Sequence, residues 1–304
     1  MTKAKSIFLK RTIYALLIVA IVVPSFALTF YGQMPGRIIG MIIFILIASL
    51  GLYEVCSFMT KNHFTIIFFA LILVFATFLL PYNNFLQILT TQLGDKITLK
   101  EIIYFNFGWE TFVVPILTVV LFILIDKNLR HNFEIFFRNF AILLITSFLT
   151  SFLAKGLWII NIFDWSKAIF VISIAVVSDT LAYIGGALFG RKWFGGAKLA
   201  PRISPAKTWA GSLIAFVITV PFAGVVGYYI NFWNGTNYEV ILLIVGSFLL
   251  AITAQFGDLL FSWFKRILNT KDFSSLIPIH GGIFDRVDGI SVVIFITIIL
   301  FIVA

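Results

Sequence analysis

Residues 211–231 read GSLIAFVITVPFAGVVGYYIN, 21 positions without an acidic or basic side chain. A helix needs roughly 17–25 mostly apolar residues to cross the hydrocarbon of a bilayer, and this stretch has that length. Eight further stretches read the same way, near 12–31, 38–58, 64–81, 111–125, 141–162, 167–189, 239–261 and 287–304. The composition agrees: 61% of residues are hydrophobic and 12% charged, with a mean hydropathy of +1.08. Soluble domains carry about 25% charged residues, and a water-soluble fold of this size has no core able to hide so much apolar side chain. Lipid removes the difficulty, because a helix can be apolar all round when hydrocarbon is its solvent. The runs are continuous rather than alternating, which excludes an outer-membrane barrel. The expected fold class is an all-α polytopic membrane protein with about nine transmembrane helices.

Orientation follows from Lys and Arg, which collect in cytoplasmic loops. With the N-terminus placed in the cytoplasm, 17 of the 22 basic residues fall on the cytoplasmic side. Four fall on the other side (Arg37, Lys96, Lys100 and Lys167), and Lys155 lies within a span. This asymmetry accounts for the net charge of +9, so nucleic acid is not expected as a partner. Lys3, Lys5, Lys10 and Arg11 open the chain as a signal peptide would. The apolar run after them is long enough to span and no small-residue cleavage site follows, so a retained first helix is expected. The lone Cys56 excludes an internal disulfide and a cysteine metal site. The segment 126–140 reads as an amphipathic surface stretch, and His63 and His131 as solvated histidines. The chain divides into an N-terminal region, 1–165, with about five spans, and a catalytic region, 166–304, with cytoplasmic loops at 191–210 and 262–287.

Acids inside or against a span are costly and therefore functional candidates. Asp179 falls in the sixth span, Asp258 near the inner end of the eighth, and Asp285 and Asp288 open the ninth. Glu54 and Lys155 are read as snorkelling or paired locally. Asp258, Ser262, Lys265 and Arg266 share one helix face, as do Asp285 and Asp288. Between them lies NTKDFSSLIPIHGG, with Lys271, Asp272, His280, Gly281 and Gly282. Carboxylates beside Lys and Arg at a membrane edge suit a hard divalent cation and an anionic ligand. Mg²⁺ prefers one or two carboxylates, several waters and substrate phosphates, and Arg offers phosphate a bidentate fork. Two glycines let a backbone approach an anion closely. The residues point to metal-dependent phosphoryl or nucleotidyl transfer at the cytoplasmic face.

The run Ser262–Asp288, SWFKRILNTKDFSSLIPIHGGIFDRVD, resembles the signature of the phosphatidate cytidylyltransferase (CDP-diacylglycerol synthase) family of bacterial type. That signature joins a Ser, a Lys-Arg pair, a Lys-Asp pair, a Pro, a His-Gly-Gly and a closing Asp-Arg-x-Asp. The stretch 178–211 is similar to the family's upstream block, with Asp179, Thr180, Tyr183, Gly190, Leu199, Pro201, Ser204, Pro205, Lys207, Thr208, Trp209 and Gly211 in place. Two positions depart from it: Ala210 and Phe261 stand where the family usually has acids.

The resemblance implies CTP and phosphatidic acid as substrates, CDP-diacylglycerol and pyrophosphate as products, and Mg²⁺ as cofactor. A second cation would bridge the nucleotide and lipid phosphates. Asp258 and Asp285 would bind the metal and Asp288 support it or ligate the second cation. Lys207, Lys265, Arg266 and Arg286 would hold phosphates, with Lys271, Asp272, Gly281 and Gly282 in the substrate loop. Ser204, Thr208 and Ser262 would supply hydroxyls. His280 would donate to a phosphate or fix the loop, and Asp179 would shape the site, reach the metal or simply pair with a basic residue. A multi-pass protein of the plasma membrane with its site facing the cytoplasm is expected, and a homodimer is compatible with it. Other readings are a CTP-dependent transferase on another lipid phosphate, a transporter with intramembrane acids, and a catalytically impaired paralogue motivated by Ala210 and Phe261.

Overall fold

A computed structural model of the chain describes residues 20–90, 97–130, 132–274 and 281–304. In chain order the helices are α1 (Ala20–Tyr31), α2 (Gln33–Cys56), α3 (His63–Leu79), α4 (Tyr82–Thr90), α5 (Leu99–Asn106), α6 (Trp109–Ile125), α7 (Phe133–Phe163) and α8 (Trp165–Phe189). An antiparallel hairpin follows, β1 (Lys198–Ala200) and β2 (Ser204–Thr208). Then come α9 (Trp209–Tyr229), α10 (Glu239–Ile267) and α11 (Phe284–Val303). The chain forms two compact units, one of residues 1–95, 105–165 and 272–287, the other of 96–104, 166–271 and 288–304.

The helical membrane class holds, and the described residues do not by themselves give the count of nine. Among the described residues six helices are long and apolar enough to cross a bilayer, or eight if each of two bent pairs is one span. The first expected span, 12–31, is described only over the shorter α1. The pairs α3–α4 and α5–α6 bend by 73° and 41°, and the stretch between the spans expected near 64–81 and 111–125 contains two short helices. Within the segment expected at 126–140, a short 3-10 turn spans Lys127–Arg130 and α7 begins at Phe133. Arg37 and Lys167, expected in outer loops, lie inside α2 and α8.

In the first unit α2, α3, α6 and α7 pack on one another. The bends leave backbone carbonyls without an intrahelical partner, and no water in hydrocarbon can replace it. Lys155 of α7 supplies the donors. Its buried Nζ reaches the Leu80 carbonyl at 2.6 Å and also the Asn106 carbonyl, where the two bends occur, and lies 5.1 Å from the centre of the Phe107 ring. Lys155 therefore does not snorkel to the surface. Arg37 plays the same part for α4, donating to the Ile88 carbonyl at 3.0 Å.

In the second unit α9 packs against α10, and the hairpin against both. Thr208 begins α9 as its N-cap, the side-chain oxygen accepting the Gly211 N–H at 3.1 Å. That bond satisfies one of the helix's first amides and fixes where the hairpin ends. Lys167 of α8 donates to the Asn231 carbonyl at 2.9 Å.

Candidate functional site

The second unit contains a cavity of about 850 Å³, within the ~300–1,000 Å³ typical of small-molecule sites. One wall is the C-terminal half of α8, with Asp179, Tyr183 and Gly186 at helical spacing. The hairpin adds Lys198, Leu199, Ser204, Ala206, Lys207 and Thr208. Ser212 of α9 and Gln255 and Asp258 of α10 close it, and Arg191 stands at the end of α8.

The central contact is an ion pair between the Lys207 ammonium and the Asp258 carboxylate, whose side chains keep 20% and 25% of their exposure. A half-buried carboxylate in an apolar chain needs a counter-charge, and the cap at Thr208 sets the lysine next to it in place. Beside this pair Ser212 and Gln255 engage each other: the serine hydroxyl donates to the Gln255 side-chain oxygen, and the Gln255 amide donates to the Ser212 carbonyl at 3.1 Å. Three cations (Arg191, Lys198 and Lys207) and two acids (Asp179 and Asp258) line the cavity. Among the described residues no hydrogen bond or ion pair engages the side chains of Arg191 and Lys198. The lining therefore favours an anionic ligand.

Of the residues singled out from sequence, Asp179, Ser204, Lys207, Thr208 and Asp258 meet at this cavity. Elsewhere in the same unit Lys265 of α10 lies 3.8 Å from Asp288, whose other oxygen accepts the Gly289 N–H at 2.8 Å. Arg266 donates to the Ile203 carbonyl in the hairpin turn and to the Thr270 carbonyl, both at 3.1 Å. That guanidinium braces the hairpin against the end of α10. Ser262 is half-buried on α10, and Lys271 is exposed.

In the first unit Asp285 is buried, and its Oδ2 accepts the N–H groups of Phe273 and Gly282, each at 2.9 Å. Gly281 has φ +83°, a conformation that favours glycine. The anion that this glycine pair approaches is thus the protein's own carboxylate. Asp272 and Arg286 are exposed, and His280 lies outside the described residues.

Sequence reasoning passed over Arg191, Lys198, Ser212 and Gln255. The signal was available for the last two, since both are polar positions inside apolar runs beside a motif residue. Ala210 and Phe261 occupy packing positions: Ala210 is 1% exposed at the start of α9 and Phe261 fully buried, edge-on to Phe264 with centroids 5.7 Å apart. Neither lines the cavity.

The donor set fits a hard cation in part. Asp258 and Asp179 offer carboxylate oxygens to one cavity that also holds the hydroxyls of Ser204, Thr208 and Ser212, and oxygen-only donors suit Mg²⁺. Among the described residues no three His, Cys, Asp or Glu side chains gather into a ready-made metal cage. A cation held by one or two carboxylates and completed by substrate phosphates needs no such cage.

Residues 9–304 match the model of a family described as the cytidylyltransferase family. A protein of Rickettsia conorii named phosphatidate cytidylyltransferase is 44% identical over 126 residues, 40% of this chain and 51% of that protein. One of the same name from Rickettsia bellii is 43% identical over 106 residues, 34% of this chain and 46% of its own length. Another of that name, from Brucella abortus, is 33% identical over 199 residues, 60% of this chain and 68% of its own length. The chain thus spans about half the length of the Rickettsia relatives it matches.

Proposed function

Because this chain belongs to the cytidylyltransferase family, we propose that it transfers the cytidylyl group of CTP to phosphatidic acid at the cytoplasmic face of the plasma membrane. An oxygen of the lipid phosphate attacks the α-phosphorus of CTP, the bond from that phosphorus to the bridging oxygen of the β-phosphate breaks, and pyrophosphate leaves. CDP-diacylglycerol is the other product. The lipid phosphate is already an anion at neutral pH, so the step needs no strong general base. What it needs is alignment and neutralisation of phosphate charge.

The observation that carries the reading is the Lys207–Asp258 pair inside a cavity whose other cations, Arg191 and Lys198, have no protein partner among the described residues. Lys207, Arg191 and Lys198 hold phosphates of the nucleotide, and the Ser204 and Thr208 hydroxyls donate to them. Lys265, Arg266, Lys271 and Arg286 are the further phosphate-facing candidates. Asp258, Asp285 and Asp288 are the carboxylates assigned to Mg²⁺, with Asp179 as a further oxygen donor in the cavity. When bound, Mg²⁺ supplies neutralisation of the charge that develops on the transferred and departing phosphates.

The test is to incubate membranes containing the protein with CTP labelled at the α-phosphate, Mg²⁺ and phosphatidic acid. Labelled CDP-lipid is expected, and its absence with phosphatidate but formation with another lipid phosphate would reassign the acceptor. Sidedness can be read separately, because the native Cys56 is buried. A cysteine placed at exposed Lys198 should react with an impermeant maleimide in inside-out vesicles and not in intact cells.

A further inference from the structure

Glu54 is 4% exposed at the C-terminal end of α2, where a carboxylate is expensive unless its oxygens are occupied. Three donors occupy them. Oε1 accepts the Ser274 hydroxyl at 2.6 Å and the Ile283 N–H at 3.0 Å, and Oε2 accepts the Phe284 N–H at 2.9 Å. Ile283 and Phe284 are the residues at which α11 begins, so Glu54 does for that helix what an N-cap residue would do, from a distant part of the chain. The fit is close on both sides. A Cβ on Gly282 would collide with the Glu54 carboxylate, and one on Gly51, a turn before Glu54, would meet the Phe284 ring at 2.8 Å. The residue next along, Asp285, takes the Phe273 and Gly282 amides. Two acids thus share out four amides and a hydroxyl of the segment that leads into α11.

We infer that Glu54 is a positioning residue for the reaction: it sets the start of α11, and with it the orientation of the Asp285 carboxylate. This rests on the reading of the chain as a CTP:lipid-phosphate transferase. Glu54 touches no substrate; its effect passes through the backbone at 282–285. A glutamine in its place keeps the shape but presents oxygen on one side only, so either Phe284 or the Ser274–Ile283 pair faces an amide N–H₂ instead of an acceptor.

The test compares Glu54→Gln and Ser274→Ala with the wild-type chain and with Glu101→Gln, an exposed acid that, among the described residues, bonds within its own turn at Thr98. Activity is assayed with CTP and phosphatidate, and amide hydrogen exchange is followed over 281–286 in detergent. For Glu54→Gln the expected result is a fall in kcat of about ten- to hundredfold, the scale that misplacement by about an ångström produces, with KM for CTP within about twofold of wild type. Exchange at 282–285 should quicken while the rest of α2 keeps its protection. Ser274→Ala should lie between Glu54→Gln and wild type, and Glu101→Gln should match wild type. A wild-type kcat in Glu54→Gln, or exchange at 282–285 unchanged, overturns the inference. So does a loss of protection spread over all of α2 and α7, which would mark Glu54 as a general support of the fold. If the wild-type chain makes no CDP-lipid, it is the proposed function that falls, and the catalytic part of this inference with it.

Discussion

Two acids sit near the ends of long apolar helices, Glu54 in α2 and Asp258 in α10, and they are neutralised by opposite means. Glu54 is held by a hydroxyl and by two backbone amides that cannot leave without unravelling the start of a helix. Asp258 is held by the ammonium of Lys207, on a flexible four-carbon stem, in a cavity that stays open. The first arrangement gives a charge one permanent place. The second leaves both partners able to exchange each other for a ligand of either sign. In an apolar chain the burial of an acid therefore does not by itself say what the acid is for.

The comparison breaks most directly at Asp258. Asp258→Asn should reduce kcat by about 100- to 1,000-fold, the loss typical of removing one preorganised electrostatic contact, with the protein still present in the membrane fraction. Asp285→Asn should likewise abolish Mg²⁺-dependent turnover; near-normal rates would remove Asp285 from the metal assignment. Lys207→Met should lower kcat/KM for CTP by about ten- to hundredfold, and Lys207→Arg should recover part of it. If the methionine variant is as active as wild type, the ion pair is only structural.

A fixed charge that supports no site acid should respond in stability instead. Lys155→Met strips the donors from the Leu80 and Asn106 carbonyls, and about 1–3 kcal/mol should be lost for each carbonyl left dry. A lowered melting point in detergent is the measurement, and an unchanged one would mean that water or lipid headgroups already serve those carbonyls. The smallest effect is expected from exposed Arg286→Gln, within about threefold in KM, since exposed charges contribute little. A large loss there would assign Arg286 to the phosphate site.

Much of this was legible along the chain. The acid-bearing motifs around Asp179, Lys207 and Asp258 were legible as chemistry, and the structure brings those three to one cavity. Arg266 was legible as a cation, but not as one whose guanidinium reaches the Ile203 and Thr270 carbonyls. Glu54 was visible as a misplaced charge, yet its donors lie 220 to 230 positions away. No spacing rule connects positions so far apart. The bends at α3–α4 and α5–α6 were invisible, because hydropathy measures a run's length and not its direction.

The sequence by itself determined that the chain is a helical membrane protein, because the length of an apolar run set against the thickness of hydrocarbon is a one-dimensional comparison. It also pointed to a kind of chemistry, since carboxylates and cations gathered in those motifs suit phosphate ligands. Only the tertiary structure decided which acid meets which partner. Asp258 faces a lysine across a cavity and Asp285 and Glu54 face backbone amides, and that choice depends on the packing of helices distant in sequence, where each buried charge must find the donor that the fold brings to it.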